Sequence, residues 1–277
     1  MQISFEVYPP RRPEDQGRLE EAIVELAKLE PKFISVTFGA GGSSTKGSLE
    51  VLKFIRDNTN STPLAHLTCV GTTRAEAEAI IREFQSQGIT DFLALRGDLP
   101  VESDRLATDA FARADQLVEL LDEMRAPGTN IAVAAFPNGH PDSAGSRQDL
   151  DALASKQEKG ADFAITQLFF YASDYLEFLQ LASSRGIKLP IIPGIMPIVS
   201  LKRLNRVLEL SGEERPLELS QALEAAADAA QQREVGIQWA ANQVRDLVSA
   251  GIDSVHLYAF NEFANVTEVL RRAGVRN

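Results

Sequence analysis

A single cysteine, Cys69, among 277 residues leaves no partner for a disulfide within the chain and excludes cysteine-based zinc or iron–sulfur sites. Histidine is nearly as scarce. His66, His140 and His256 do not fall into the His-x-His or helical His-x-x-x-His spacing of common metal sites, so no metal is expected. Apolar residues never run for the roughly 20 positions needed to cross a bilayer. Met1 to Pro10 lacks the basic-then-apolar order of a secretion signal. These absences point to a protein of the reducing cytoplasm. Positive charge is also short, with 28 Lys and Arg against 39 Asp and Glu and a net charge of −11. Nucleic acid and anionic membranes need a basic face, so both are excluded as main partners. An anionic small molecule would need locally placed cations. No linker, low-complexity tail or internal repeat beyond a strand–helix unit interrupts the chain, which predicts one domain over residues 1–277.

What is present is ordinary globular composition, 44% hydrophobic and 24% charged, able to bury a substantial interior. Short β-branched and aromatic runs alternate with segments of helical period, the pattern of repeated βα units and a parallel sheet. The runs predict strands at Ile3–Val7, Phe33–Thr37, Leu64–Thr68, Phe92–Leu95, Ile131–Ala135, Phe163–Gln167, Ile191–Gly194 and Ser254–Tyr258. Eight such units close an α/β (TIM) barrel. Leu19, Ile23, Leu26 and Leu29 form one apolar helical face, and Ala77, Ile80, Ile81 and Phe84 form another. Asp142 with Ser143, and Ser173 with Asp174, are cap-type residues ahead of helices. Between Ser211 and Arg233 the rhythm breaks: a Gly-Glu-Glu-Arg-Pro turn and an Ala-rich charged helix predict a short helical insertion before the last strand.

In a barrel of this kind the chemistry sits where strands run into their following loops. Those positions hold Glu6, Thr37, His66, Arg96 with Asp98, His140 after the fifth strand, Gln167, and Tyr258 with Asn261. Strand alternation puts Ile3, Phe5 and Val7 on one face and Ser4 and Glu6 on the other, pointing inward. A carboxyl group in that interior suits a general acid, or a structural ion pair with an inward Arg or Lys. Arg96-Gly97-Asp98 offers forked donors, close backbone approach and an acceptor, or only a strand-ending turn with its own ion pair. His66 reads equally as a core histidine. Gly39 to Ser44 resembles a phosphate loop but lacks the dinucleotide and triphosphate signatures, and reads better as a loop with Ser43 or Ser44 capping a helix. Asp149 and Lys156 lie seven apart, on one face of a helix.

Taken together, Ser4-Phe5-Glu6-Val7-Tyr8-Pro9-Pro10-Arg11, Ser35-Val36-Thr37-Phe38-Gly39-Ala40, His66-Leu67-Thr68-Cys69, Ala94-Leu95-Arg96-Gly97-Asp98-Leu99-Pro100, Ala164-Ile165-Thr166-Gln167 and Ile192-Pro193-Gly194-Ile195 closely resemble the methylenetetrahydrofolate reductases. The resemblance runs from Ser4 to about Asn261. It implies a TIM barrel that binds FAD, takes reducing equivalents from NADH or NADPH, and converts 5,10-methylenetetrahydrofolate to 5-methyltetrahydrofolate for methionine synthesis. It implies that Glu6 is the acid opening the methylene bridge. Asp98 would sit near the flavin's pyrimidine edge and the pterin, and Gln167 and Tyr258 would contact the folate. Thr37, His66, Leu95, Arg96, Gly97, Asp98, Ala134, Phe136, His140, Asp149 and Lys156 fall where the family contacts FAD, with Arg96 and Lys156 facing the pyrophosphate.

The bacterial members resembled are usually homo-oligomers using NADH. No C-terminal regulatory domain is expected here. Several positions depart from the family pattern. Phe136 stands for a frequent tyrosine, Ala152 and Ser155 for longer polar residues on the flavin-side helix, Val207 for a stacking aromatic, and Glu262 for a basic residue that meets the folate's glutamate tail. Other readings are a flavin-independent reductase or methyltransferase acting on folate, and a non-catalytic flavin- or folate-binding protein.

Overall fold

A computed structural model describes residues 1–10, 12–37, 45–97, 110–143 and 145–276. Its strands are β1 (Gln2–Val7), β2 (Phe33–Val36), β3 (Thr62–Thr68), β4 (Asp91–Leu95), β5 (Ile131–Ala135), β6 (Phe163–Thr166), β7 (Ile191–Ile192), β8 (Gly194–Ile195) and β9 (Ser254–Tyr258). All ladders between them are parallel. The order is β7-β6-β5-β4-β3-β2-β1-β9-β8. β7 and β8 are one stretch of chain broken at Pro193, so the two ends of that order meet and the sheet closes into the expected barrel.

The single seventh strand expected over Ile191–Gly194 is thus two short ones. Proline has no N–H to donate, and the ladder lapses at Pro193. Its carbonyl still accepts from the His256 N–H at 2.9 Å. Gly194 carries the seam: a Cβ there would lie 2.8 Å from Tyr258 Cε2, 2.9 Å from its hydroxyl, and against the Thr166 carbonyl.

Period-2 alternation sorts the strand residues as expected. Ile3, Phe5 and Val7 of β1, Ile34 and Val36 of β2, and Ala65 and Leu67 of β3 are buried in the outer core under the helices. Phe33, Leu64, Leu93, Ala132, Ile165 and Ile192 form a separate cluster inside the barrel. Such an inner layer plugs the barrel and leaves the next residues along each strand to face the mouth.

The helices are α1 (Gln16–Ala27), α2 (Thr45–Asn58), α3 (Arg74–Ser86), α4 (Ala114–Met124), α5 (Ser146–Glu158), α6 (Ala172–Ser184), α7 (Leu201–Ser211), α8 (Leu217–Ala225), α9 (Ala229–Ser249) and α10 (Phe263–Arg272). Leu19, Ile23 and Leu26 of α1, and Ala77, Ile81 and Phe84 of α3, are buried; Leu29 and Ile80 pack at the margin. The insertion before the last strand is α8, but the Ala-rich run is not one helix. It breaks at residues 226–228, where Asp228 caps α9 by accepting from the Gln231 N–H at 2.9 Å. Leu204, Val207, Leu219 and Leu223 bury α7 and α8 against Leu168, Phe170 and Ile198. Among the described residues, no helix is long and apolar enough to cross a membrane.

Two expected caps do not cap. α5 begins at Ser146 after Gly145, and Asp142 pairs elsewhere. α6 already begins at Ala172, so Ser173 and Asp174 lie inside its first turn, where an acidic side chain still suits the helix dipole. The segment from Gly39 to Ser44 is outside the described residues.

Candidate active site

Above the inner layer, the mouth of the barrel opens into a cavity of about 1120 Å³. Glu6, Thr37, His66, Leu95, Ala134 and Gln167 reach it from β1 to β6 or the residues just beyond, and Arg96, Gly97, Phe136, His140, Asp149 and Lys156 line it from the loops and α5. Asp98 is outside the described residues. Tyr258 is the expected residue that does not line the cavity. Its hydroxyl donates to the Thr166 carbonyl at 2.6 Å across the seam, and burial pushes that phenol well above its usual range.

Among the described residues, Glu6 is not paired with Arg or Lys. Its Oε2 lies 3.5 Å from His66 Nε2 and 3.9 Å from His256 Nε2. His256 is wholly buried. It stacks on Phe33 with centroids 5.7 Å apart, and its Nδ1 shares a 2.9 Å hydrogen bond with Ser4 Oγ. Both Nε2 atoms are buried without a hydrogen-bond partner among the described residues. Burial holds His66 below the usual imidazole range, with Glu6 opposing and His256 reinforcing the shift. A neutral His66 beside Glu6 adds no fixed positive charge at neutral pH. The Glu6 side chain stays about one-fifth exposed, so its carboxyl group faces both the imidazoles and the cavity. Next along the chain, Tyr8 and Asn261 exchange two hydrogen bonds, Tyr8 N–H to Oδ1 at 3.1 Å and Nδ2–H to the Tyr8 carbonyl at 2.9 Å. Asn261 therefore ties the ends of β1 and β9 together.

On the opposite wall, the loop after β4 and helix α5 supply the cations, Arg96 and Lys156. Arg96 Nη2 donates to Asp142 Oδ2 at 2.6 Å, a partner that sequence reading assigned to a helix cap. Lys156 Nζ donates to the Ala134 carbonyl at 2.9 Å. Burial pushes the ammonium down to about 8, against the raising influence of Asp115 and Asp149. Asp149 Oδ2 accepts from the His140 N–H at 3.2 Å, and the His140 ring meets Phe136 edge-on at 4.8 Å between centroids. Gln167 Oε1 accepts from the Leu168 N–H at 2.9 Å, which leaves its amide NH₂ to serve the cavity.

Two features of the barrel mouth suit a bound group. Thr37 Oγ1 is buried with no hydrogen-bond partner among the described residues. Gly97 has φ of +83°, and a Cβ on it would lie 3.0 Å from Thr68 Cβ, so this turn is built for backbone rather than side chain. Among the described residues, no group of three or more His, Cys, Asp or Glu is arranged to hold a metal.

Sequence reading missed Arg113 and Asp115, which open α4 and also line the cavity. The signal present was a charged pair just before the apolar run Leu117, Val118, Leu120 and Leu121; nothing in it placed that helix end beside the mouth. Arg203 was missed as well. It forks onto Glu262 at 3.0 and 3.3 Å and lies 5.1 Å over the Phe260 ring. A cation therefore stands beside Glu262.

The sequence profile of the family described as Methylenetetrahydrofolate reductase matches residues 1–274. The chain is 35% identical over 275 residues to the 5,10-methylenetetrahydrofolate reductase of Escherichia coli (strain K12), covering 99% of this chain and 91% of that protein. It is 31% identical over 285 residues to Methylenetetrahydrofolate reductase (NADH) 1 of Arabidopsis thaliana, covering 99% of this chain and 48% of that protein. Among solved structures, an uncharacterised Clostridium thermocellum protein that binds two copies of 5-methyl-5,6,7,8-tetrahydrofolic acid shares the fold. Its TM-score is 0.68 at 14% identity, over 98% of this chain and 93% of that one.

Proposed function

Because the chain belongs to the methylenetetrahydrofolate reductase family, and so to the oxidoreductases of folate metabolism, we propose that it reduces 5,10-methylenetetrahydrofolate to 5-methyltetrahydrofolate, using FAD and a nicotinamide nucleotide. The observation that carries this reading is the inward Glu6, set beside His66 and His256 and opening onto the cavity. The lining of the cavity fits a flavin dinucleotide. Thr37 Oγ1 offers an uncommitted hydroxyl, Gly97 a close backbone approach, and Arg96 and Lys156 cationic groups for a pyrophosphate. Leu95, Ala134 and Phe136 offer apolar contact for the ring, with His66, His140, Asp149 and Asp98 completing the proposed contacts. FAD, when bound at these residues, would supply the chemistry of hydride transfer between a nicotinamide nucleotide, NADH or NADPH, and the folate.

The chain's own task is to bind, orient and move a proton. Glu6 delivers the proton that opens the methylene bridge, which leaves the one-carbon unit electrophilic enough to accept hydride. Gln167 orients the pterin through its free amide, and the apolar barrel plug beneath excludes water from below. Tyr258, with its hydroxyl committed to Thr166, has no free hydroxyl to offer the folate.

The test is Glu6→Gln in the flavin-loaded protein. Folate turnover is expected to fall by about 10²- to 10⁴-fold, the usual contribution of a positioned general acid. Anaerobic bleaching of the flavin by NADH should remain near the wild-type rate. Unchanged folate turnover would remove Glu6 from the reaction, and a protein that takes up no FAD would overturn the cofactor assignment.

A further inference from the structure

Lys156 stands apart from the lysines at the surface. Lys28 pairs with Glu25 at 2.5 Å, and Lys159 pairs with Glu119. Lys188 and Lys202 are exposed. Lys156 instead reaches from α5 to β5 and lines the cavity. Among the described residues, its Nζ makes one hydrogen bond, to the Ala134 carbonyl at 2.9 Å. The carboxylates that act on it through space, Asp115 and Asp149, are committed elsewhere. Asp115 accepts from Arg113, Ser155 and the Gln116 N–H, and Asp149 accepts from the His140 N–H.

A primary amine is thus kept in a poorly solvated place without a carboxylate bonded to it. Burial pushes it down to about 8, so at pH 8 about half of it is neutral, against less than about 1% of an ordinary lysine. The neutral amine can still donate an N–H to the Ala134 carbonyl. Its lone pair cannot face that oxygen and is left for the cavity, whose volume of about 1120 Å³ admits a small molecule from the barrel mouth. A desolvated amine with a free lone pair and an open approach is the arrangement from which lysine forms imines with carbonyl compounds.

We propose that Lys156 of the flavin-free protein is a modification site for small aldehydes, with formaldehyde the smallest of the class, and that the adduct and a flavin dinucleotide exclude one another. The Nζ lone pair adds to the carbonyl carbon, the π pair of the carbonyl moves to oxygen, and a proton passes from nitrogen to that oxygen, giving a carbinolamine. The C–O bond then breaks, the oxygen leaves as water with the remaining N–H proton, and a C=N bond forms. Nothing is oxidised or reduced. The adduct removes the N–H that serves Ala134 and takes away a donor assigned above to the pyrophosphate. The exclusion therefore rests on the FAD reading; the capture does not.

The test treats the full-length protein, stripped of flavin, with formaldehyde and cyanoborohydride, which reduces the imine to a stable N-methyl group. Peptide mass spectrometry follows Lys156 against the exposed Lys188 and Lys202. Near neutral pH, Lys156 is expected to react about tenfold faster or more, its larger neutral fraction outweighing its weaker basicity. Its rate should level off above about pH 8, while the rates of the other two keep climbing toward the ordinary lysine range. Burial that only shields the amine would make Lys156 the slowest of the three at every pH, and that result overturns the capture. A Lys156 rate that climbs with the others does so too. In a second series, FAD at ten times its Kd should slow Lys156 about tenfold and leave Lys188 and Lys202 unchanged, and protein already methylated at Lys156 should bind FAD more weakly. Undiminished labelling of the FAD-loaded protein overturns the exclusion. Fast labelling of Lys156 in a protein that takes up no FAD would fell the FAD reading and leave the capture standing.

Discussion

Lys156 is a cation kept where a cation is poorly solvated. With its pKa pushed down to about 8 by burial, the folded protein releases this proton at lower pH than the unfolded chain, where lysine titrates near 10.4. Between those values the unfolded state binds more protons, so stability rises with pH across the window, and below about 8 the full cost is present. Urea unfolding of the flavin-free protein from pH 7 to pH 10 should therefore show the wild type gaining on Lys156→Met as pH rises. A pH-independent difference between the two would mean that the ammonium is not desolvated. Inward residues such as Glu6 and His66 were legible in the sequence because a strand's period of two leaves no choice of face. The partners were not. That Glu6 meets His66 and His256 depends on which strands become neighbours through closure, and that Arg96 meets Asp142 depends on a loop 46 residues away.

Elements were more legible than their ends. Each predicted strand lies where β-branched and aromatic residues cluster, and each is present. The seventh was misjudged because apolarity runs through Pro193 while hydrogen bonding does not. The caps at Asp142 and Ser173 were misjudged because side-chain type marks a helix start only to within a few residues. The seam is also the most demanding element. Gly194→Ala would drive a methyl group into the Thr166 carbonyl and the Tyr258 ring, breaking the Tyr258 bond to Thr166. A loss of about 3 kcal/mol or more is expected, at the upper end for overpacking because backbone is among the obstacles. Chemical denaturation measures it. A cost below about 1 kcal/mol would show that the seam yields easily.

At the scale of the molecule, the first strand and the last are partners, with Gln2 beside Ser254 and Glu6 beside Tyr258. The ring of ladders has no free edge where unfolding could start without breaking a pair. Trp239, the one tryptophan, sits on α9 and donates to the Phe170 carbonyl at 3.1 Å, so its emission reports on the β6–α6 connection against α9. One cooperative unit over residues 1–277 predicts that Trp239 fluorescence and far-UV circular dichroism unfold with the same midpoint. Two separated transitions would divide the chain.

Cys69 returns with a practical meaning. Its thiol is buried, lies 3.7 Å from the Arg96 carbonyl, and is pushed up to about 11, chiefly by burial. The thiolate is the reactive form, so maleimides and disulfide reagents at neutral pH should pass the native protein by. The natural sequence is thus already a silent background for labelling. One cysteine introduced on the rim can carry a single dye or spin label, and the filling of the barrel mouth can be followed without first engineering any thiol away.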